Sequence, residues 1–289
     1  MIHIATVHWM TDRWIDVQLR YLERHVSRPY RVYACLTGIG REQAARFDFA
    51  ATTEESKHPK KLNFLAKRIA EQAGDDDLLL FMDGDSFPIA DLREPLEEML
   101  AQRPLAAIRR DENLMDPQPH PSFCATTVGF WKEIGGDWRR GPPWQNAAGD
   151  SIGDVGGRVL VALEERGIEW APLVRTNEID LHPLYFGVYG NLVYHHGAGF
   201  RAPLSRRDHP RPSGNEGRAG PVQGRGARGL WDRGLRWLRR RRNQRLSERV
   251  YQRISASESF PWELFFRSEG GAPLPPRIGD VSALPPRVG

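Results

Sequence analysis

Cysteine is scarce. Cys35 and Cys124 are the only two in 289 residues. They lie far apart and outside any CxxC or Cys/His spacing, which argues against a disulfide framework and a structural zinc site. Long hydrophobic runs are missing too. None approaches the roughly 20 residues that cross a bilayer, and the apolar stretch Ile2 to Val7 follows Met1 with neither a basic leader nor a signal-length core. A soluble protein of the reducing cytoplasm is expected. Lysine is absent beyond residue 200, where 19 arginines face 8 acidic residues, whereas the first 200 residues hold 22 Lys+Arg against 29 acidic. The net charge of +4 therefore hides an acidic body and a basic tail.

What is present reads as alternating strands and helices. Ile2 to Val7 is a buried strand, followed by a helix with Asp12 as cap and Ile15, Leu19, Leu22 and Val26 on one face. Arg31 to Leu36 is a second strand. Pro59 suits the first turn of the next helix, whose stripe is Leu62, Leu65, Ile69 and Ala73, with Gly74 as its C-terminal cap. Leu78 to Met82 is wholly apolar, as a strand covered on both faces requires, and Asp83-Gly84-Asp85 follows at its C-terminal end. Ligands of open α/β sheets bind at such strand tips. Further along, a helix over Glu94 to Gln102, strands over Leu105 to Ile108 and Phe123 to Phe130, a helix over Asp154 to Arg166 and a short strand over Leu192 to His195 are predicted. The expected domains are a catalytic body over residues 1–204, an Arg/Gly/Pro-rich linker over 205–229, a basic amphipathic helical extension over 230–269 and a disordered tail over 270–289.

Two carboxylates at the mouth of an apolar strand repel each other unless a cation or hydrogen-bond donors compensate them, so Asp83 and Asp85 are candidate metal ligands. A second segment, Tyr194-His195-His196-Gly197-Ala198-Gly199-Phe200-Arg201, offers an imidazole ligand from His195 or His196. It also supplies a glycine, Gly199, that allows close backbone approach to a phosphate, and a guanidinium, Arg201, that forks onto one.

Together these segments resemble the GT-A-fold glycosyltransferases. Asp83-Gly84-Asp85 is similar to their DxD motif, and His196-x-x-Gly199-x-Arg201 to the HxxGxxK element of the family-eight type, with Arg for Lys and one residue fewer after the glycine. The resemblance covers about residues 1–201. It implies a Rossmann-like α/β fold with a mixed, mostly parallel sheet flanked by helices, and metal-dependent transfer of a sugar from a nucleoside-diphosphate donor to a hydroxyl acceptor. It further implies donor contacts from Thr6, Val7 and His8 after the first strand, from Lys60, Lys61 and Asn63, and from Asp83, Gly84, Gly199 and Arg201. An imidazole ligand favours Mn²⁺ over Mg²⁺. An inverting route needs a base, for which Asp150 and Asp154 are the candidates, while a helix cap is the plain alternative for Asp154. Acceptor contacts are expected from the loop after Ile108 and around Trp138 to Trp144, although Trp131, Trp138, Trp144, His120 and His182 read individually as packing residues.

The tail carries 11 arginines between Arg225 and Arg253, interleaved with Trp231, Trp237 and Leu238. That suits peripheral binding to an anionic membrane surface, with nucleic acid as the competing polyanion. Two other functions fit parts of the chain. A sugar nucleotidylyltransferase shares the sheet and metal, but Val7-His8-Trp9-Met10-Thr11 stands where its Gly-rich phosphate loop is expected. A non-catalytic polyanion-binding protein would use the Arg-rich tail alone.

Overall fold

The computed structural model describes residues 1–113, 115–145, 151–199 and 227–267, the side chains of 227–233 and 236 excepted. The order of elements is β1 (Ile2–Trp9), α1 (Ile15–His25), β2 (Tyr30–Thr37), β3 (Phe49–Thr52), α2 (His58–Ala70), β4 (Leu78–Asp83), β5 (Ser86–Pro88), α3 (Arg93–Gln102), β6 (Leu105–Ile108), β7 (His120–Thr127), α4 (Val128–Glu133), β8 (Trp144–Gln145), β9 (Ser151–Ile152), α5 (Gly157–Glu164), β10 (Ala171–Leu173), β11 (Gly187–Tyr189), β12 (Val193–His195) and α6 (Ala227–Ala256).

Seven strands form the main sheet in the order β10-β6-β7-β4-β1-β2-β3. All neighbours run parallel except β7, which is antiparallel to both β4 and β6. This is the mixed, mostly parallel sheet between helices that the resemblance implies. Side-chain alternation along β1 sorts the two faces. Ile2 and Ile4 enter one core with Ile15 and Leu22 of α1 and Leu96 and Met99 of α3. Ala5 and Val7 enter the other with Leu62, Leu65 and Ile69 of α2, Trp131 of α4 and Leu163 of α5. Both cores are aliphatic and aromatic throughout, so each buried Leu or Ile contributes about 1.5–3 kcal/mol.

From β1 the chain steps outward to β2 and β3, then returns through α2 to β4 on the other side of β1. The C-terminal ends of β1 and β4 thus flank a topological switch point, where parallel sheets leave a crevice. A second sheet, β11-β12-β5, stands beyond that crevice. Gly190 and Asn191, both at positive φ, make the tight turn that pairs β11 with β12. In the antiparallel register of β12 on β5, His195 lies opposite Ser86.

Several local expectations change. Asp12 does not cap α1; the residue before the helix is Trp14, with no side-chain cap. Gly74 gives its N–H to Asp77 rather than closing α2, which ends at Ala70. The strand expected over Phe123 to Phe130 begins at His120 and turns into α4 at Val128. The helix expected from Asp154 begins at Gly157, because Gly156 before it adopts φ +93°. Most of the expected linker and the terminal tail lie outside the described residues.

The last helix joins the body. Val250 and Ile254 of α6, with Phe260, Trp262, Phe265 and Phe266 beyond it, pack against Trp14, Tyr21, Phe87 and Tyr194 in a third apolar core. Tyr251 donates to the Arg13 carbonyl, and Arg13 pairs with Glu248 at 3.0 Å. Among the described residues no helix is long and apolar enough to cross a membrane.

Candidate metal and anion site

The crevice at the switch point is a cavity of about 590 Å³, lined from β1 by Val7, His8 and Trp9, from α2 by His58 and Lys61, and from the β4 tip by Asp83, Gly84 and Asp85. Arg110, His120, Asp154, Tyr189, His195 and Gly199 close its other side. Asp83 ends β4, and Gly84 turns the chain sharply toward β5. The Gly84 N–H donates to the Val7 carbonyl at 3.0 Å. A Cβ there would sit 2.6 Å from His8 Nδ1 and 2.8 Å from that carbonyl, so only glycine fits.

One buried side chain fixes this turn. Gln18 projects from the face of α1 that covers the sheet and has no solvent exposure. Its amide nitrogen donates to the carbonyls of Asp83 at 2.8 Å and Ser86 at 2.7 Å. Its amide oxygen accepts from the Thr6 hydroxyl at 3.0 Å and meets His8 Nε2 at 3.1 Å. Thr6 and His8 face α1 because even-numbered positions of β1 point to that side. With Nε2–H directed at Gln18, His8 keeps Nδ1 as an acceptor beside Gly84. Burial pushes its pKa down to about 4, so the ring is neutral at pH 7.

Asp83, Asp85 and His195 each present a ligand atom, and these atoms all lie within 4.8 Å of one another. His195 Nε2 is 3.5 Å from Asp83 Oδ2 and 3.6 Å from Asp85 Oδ1. The other Asp83 oxygen is 2.9 Å from His58 Nε2. The Gly199 N–H donates to Asp85 Oδ2 at 2.8 Å. Burial pushes the Asp85 carboxyl up from its ordinary range, and the neighbouring Asp83 charge adds to that against His195. Burial acts the same way on Asp83, but His58 and then His195 outweigh it and hold that carboxyl low. Two part-buried carboxylates this close resist ionising together, and a divalent cation between them turns repulsion into attraction. Two hard oxygen donors plus one imidazole suit such an ion chemically.

The two adjacent histidines do not share this role. His195 reaches the carboxylates, whereas His196 points to the opposite face, between Trp14 and Phe186 with ring centroids at 4.6 and 4.7 Å. Both its nitrogens are occupied, Nδ1 by the Tyr194 hydroxyl at 2.9 Å and Nε2 by Ser247 of α6 at 2.8 Å. Burial drives its pKa well down, and the ring is a neutral tie between β12 and α6.

The remaining expected contacts divide in the same way. Lys61 is 2 % exposed, lines the cleft, lies 4.0 Å above the Trp9 ring and donates to Thr37 at 3.3 Å. Burial pushes its pKa down to about 8, so at pH 7 it still carries charge. Lys60 instead points outward and pairs with Glu55 at 3.2 Å. Asn63 is turned away as well, bonding Asp137 at 2.7 Å and the Trp138 N–H at 2.9 Å. Thr6 is buried behind the cleft wall, while Val7, His8 and Gly84 line it. Gly199 has a structural reason: a Cβ would lie 2.7 Å from Asp85 Oδ2, and its carbonyl accepts from Trp14 Nε1 at 3.3 Å. Asp150 and Arg201 lie outside the described residues. Trp131 and Trp138 are core residues that stack on each other, with Phe81 tilted against the first and edge-on to the second.

At the far end, Arg110 bridges two carboxylates, Asp116 at 2.7 Å and Asp154 at 2.9 Å. Asp154 also accepts its neighbour's N–H, from Val155, at 2.7 Å. His120, at the start of β7, brings its ring centroid to 6.0 Å from His195. Sequence reasoning did not find Gln18, His58 or Arg110. Gln18 left a signal, being a polar residue in step with Ile15 and Leu22 on a stripe that is otherwise apolar.

No protein-family model matches the chain, and no curated protein matches it. Solved structures do. S. aureus TarS in complex with UDP-GlcNAc is 11% identical, with a TM-score of 0.36, over 48% of this chain and 48% of that one. The glycosyltransferase GlyE of Streptococcus pneumoniae in its apo form is 17% identical, with a TM-score of 0.33, over 45% of this chain and 35% of that one. The mannosyltransferase PcManGT from Pyrobaculum calidifontis, in complex with GDP-Man and Mn²⁺, is 12% identical, with a TM-score of 0.36, over 48% and 47%. The chain thus spans half or less of the length of the solved structures it is similar to.

Proposed function

We propose that this chain is a nucleotide-sugar glycosyltransferase that moves a sugar from a nucleoside-diphosphate donor to a hydroxyl acceptor with the help of a divalent cation. The observation that carries this reading is the Asp83/Asp85/His195 group at the tip of β4, its carboxylates part-buried and its imidazole buried, facing a buried, charged Lys61 across one cleft. Such a cleft accommodates a cation and a polyanion side by side, which is what a metal-bound diphosphate is.

Asp83, Asp85 and His195 hold the cation, Mn²⁺ in preference to Mg²⁺ because one donor is an imidazole. When bound, the ion offsets the negative charge that develops on the departing diphosphate. Lys61 supplies a second positive charge with little reorganisation, since Trp9 and Thr37 already fix its side chain. Val7, His8 and Gly84 line the path of the nucleoside, with His8 Nδ1 as acceptor for a sugar hydroxyl. Arg201 is assigned to the diphosphate on its sequence position alone. Asp154, tied to Arg110 at 2.9 Å and to the Val155 N–H at 2.7 Å, orients a hydroxyl of the donor sugar or acceptor rather than removing its proton. Asp150 remains the candidate for that step.

The test is calorimetry of the full chain with a panel of nucleoside diphosphates in the presence of Mn²⁺. Binding that needs the metal and disappears in Asp85→Ala is expected. No binding, or binding indifferent to that substitution, would sink the reading. A donor screen read by nucleoside diphosphate release then identifies the sugar, because slow hydrolysis reports the donor without an acceptor.

A further inference from the structure

Helix α6 has two faces of opposite character. One is buried: Ser247, Val250, Tyr251 and Ile254 meet the body. The other, about 170° around the helix by the α-helical repeat, carries Trp237, Leu238, Arg241, Arg242, Arg245 and Arg249 along one shallow surface groove. From Trp237 to Arg249 this strip is about 18 Å long at the α-helical rise. Its acidic member, Glu248, is paired with Arg13 of the body. Trp237 is 55% and Leu238 56% exposed, among the most exposed large apolar side chains described. The Arg241 guanidinium sits 4.6 Å from the Trp237 ring centroid, leaving one edge of the strip apolar and the rest cationic.

We propose that this outward face of α6 docks on an anionic lipid surface. Charge alone fits any polyanion. The adjoining Trp237 and Leu238 are what favour lipid, since an indole and an isobutyl group gain by entering the headgroup boundary, whereas a phosphate backbone asks only for cations. The arginines around them then meet the phosphates of the same layer, each strengthening association by roughly fivefold. The strip is well suited to lie flat. It is about 18 Å long and rooted at its C-terminal end in a packed core, so the body is held in one orientation against the layer.

The test uses the full chain and vesicle co-sedimentation with phosphatidylcholine alone and with about one third phosphatidylglycerol. Binding to the second and not the first, weakened by salt, is expected. Arg241→Gln with Arg245→Gln should lower the partition about 30-fold. Trp237→Ala with Leu238→Ala should lower it while leaving duplex-DNA binding unchanged. Neither pair is buried, so unchanged melting temperatures exclude misfolding, and Mn²⁺-dependent nucleotide binding should be unaffected, which separates this proposal from the enzymatic one. Equal sedimentation with both vesicle types, binding indifferent to both pairs of substitutions, or binding to DNA without binding to either vesicle would overturn it.

Discussion

The two ends of the cleft handle their carboxylates differently. At the Arg110 end, Asp116 and Asp154 share a permanently charged guanidinium, and Asn113 adds a 2.6 Å hydrogen bond to Asp116. That end carries a fixed cation of its own, bonded to both acids. At the β4 tip, Asp83 and Asp85 have imidazoles and one backbone N–H as partners, with Lys61 lodged against Trp9 and Thr37. The lesson is that proximity of acids does not by itself make a metal site. Among the described residues, what distinguishes the two ends is the partner in direct contact with the acids, a guanidinium at one and imidazoles with a backbone N–H at the other.

The comparison breaks most visibly at Arg110. Arg110→Met leaves Asp116, 1% exposed, without its cation, and should lower unfolding free energy by about 3–5 kcal/mol in denaturant titrations. Mn²⁺ affinity should be untouched; an equal loss there would mean that the two ends form one network. The converse substitution is Asp85→Asn. It removes a charge that burial already opposes, so the apo protein should melt no lower, while Mn²⁺ affinity, read by calorimetry, falls by more than the roughly 100-fold that losing a supporting residue costs.

Gln18→Leu sharpens the contrast without touching a carboxylate. It keeps the volume but withdraws both donors from the Asp83 and Ser86 carbonyls, and Mn²⁺ affinity should fall roughly 10- to 100-fold. A stability loss with unchanged affinity would reduce Gln18 to a core residue. Lys61→Met should weaken nucleoside diphosphate binding roughly tenfold. The wild-type pH profile follows from the same group. Its free-state pKa is lowered to about 8 and anion binding raises it, so the Lys61 contribution to affinity is complete below pH 8 and declines above it. In Lys61→Met that decline should vanish, as equilibrium titrations across the range would reveal.

Much of the architecture could be read before any coordinates, for a physical reason. β4 is apolar from Leu78 to Met82 because both its faces are covered, and α2 repeats Leu62, Leu65 and Ile69 at helical spacing. Long periodic segments announce themselves. The three-residue strands β5, β10 and β11 did not, since so few residues carry no period, and β5 in particular sits against the acidic turn. The Asp83-Gly84-Asp85 turn was visible through its position. The partners were less so: Gln18 and His58 arrive from α1 and α2, more than 20 residues upstream of the turn, and only the fold brings them together. Choosing between His195 and His196 required the pleat of β12, which assigns one to the cleft and the other to the core.

Loop tips usually absorb insertions and deletions. The turn at Gly190 and Asn191 should not. It counts residues into β12, and a strand shifted by one position exchanges its two faces. Removing a single residue there would carry His195 into the aromatic cluster and bring His196 toward the carboxylates, stripping Trp14 and Ser247 of their partner. A length change in that turn therefore rewires both the cleft and the seat of the last helix, although the turn itself supplies no ligand atom to either.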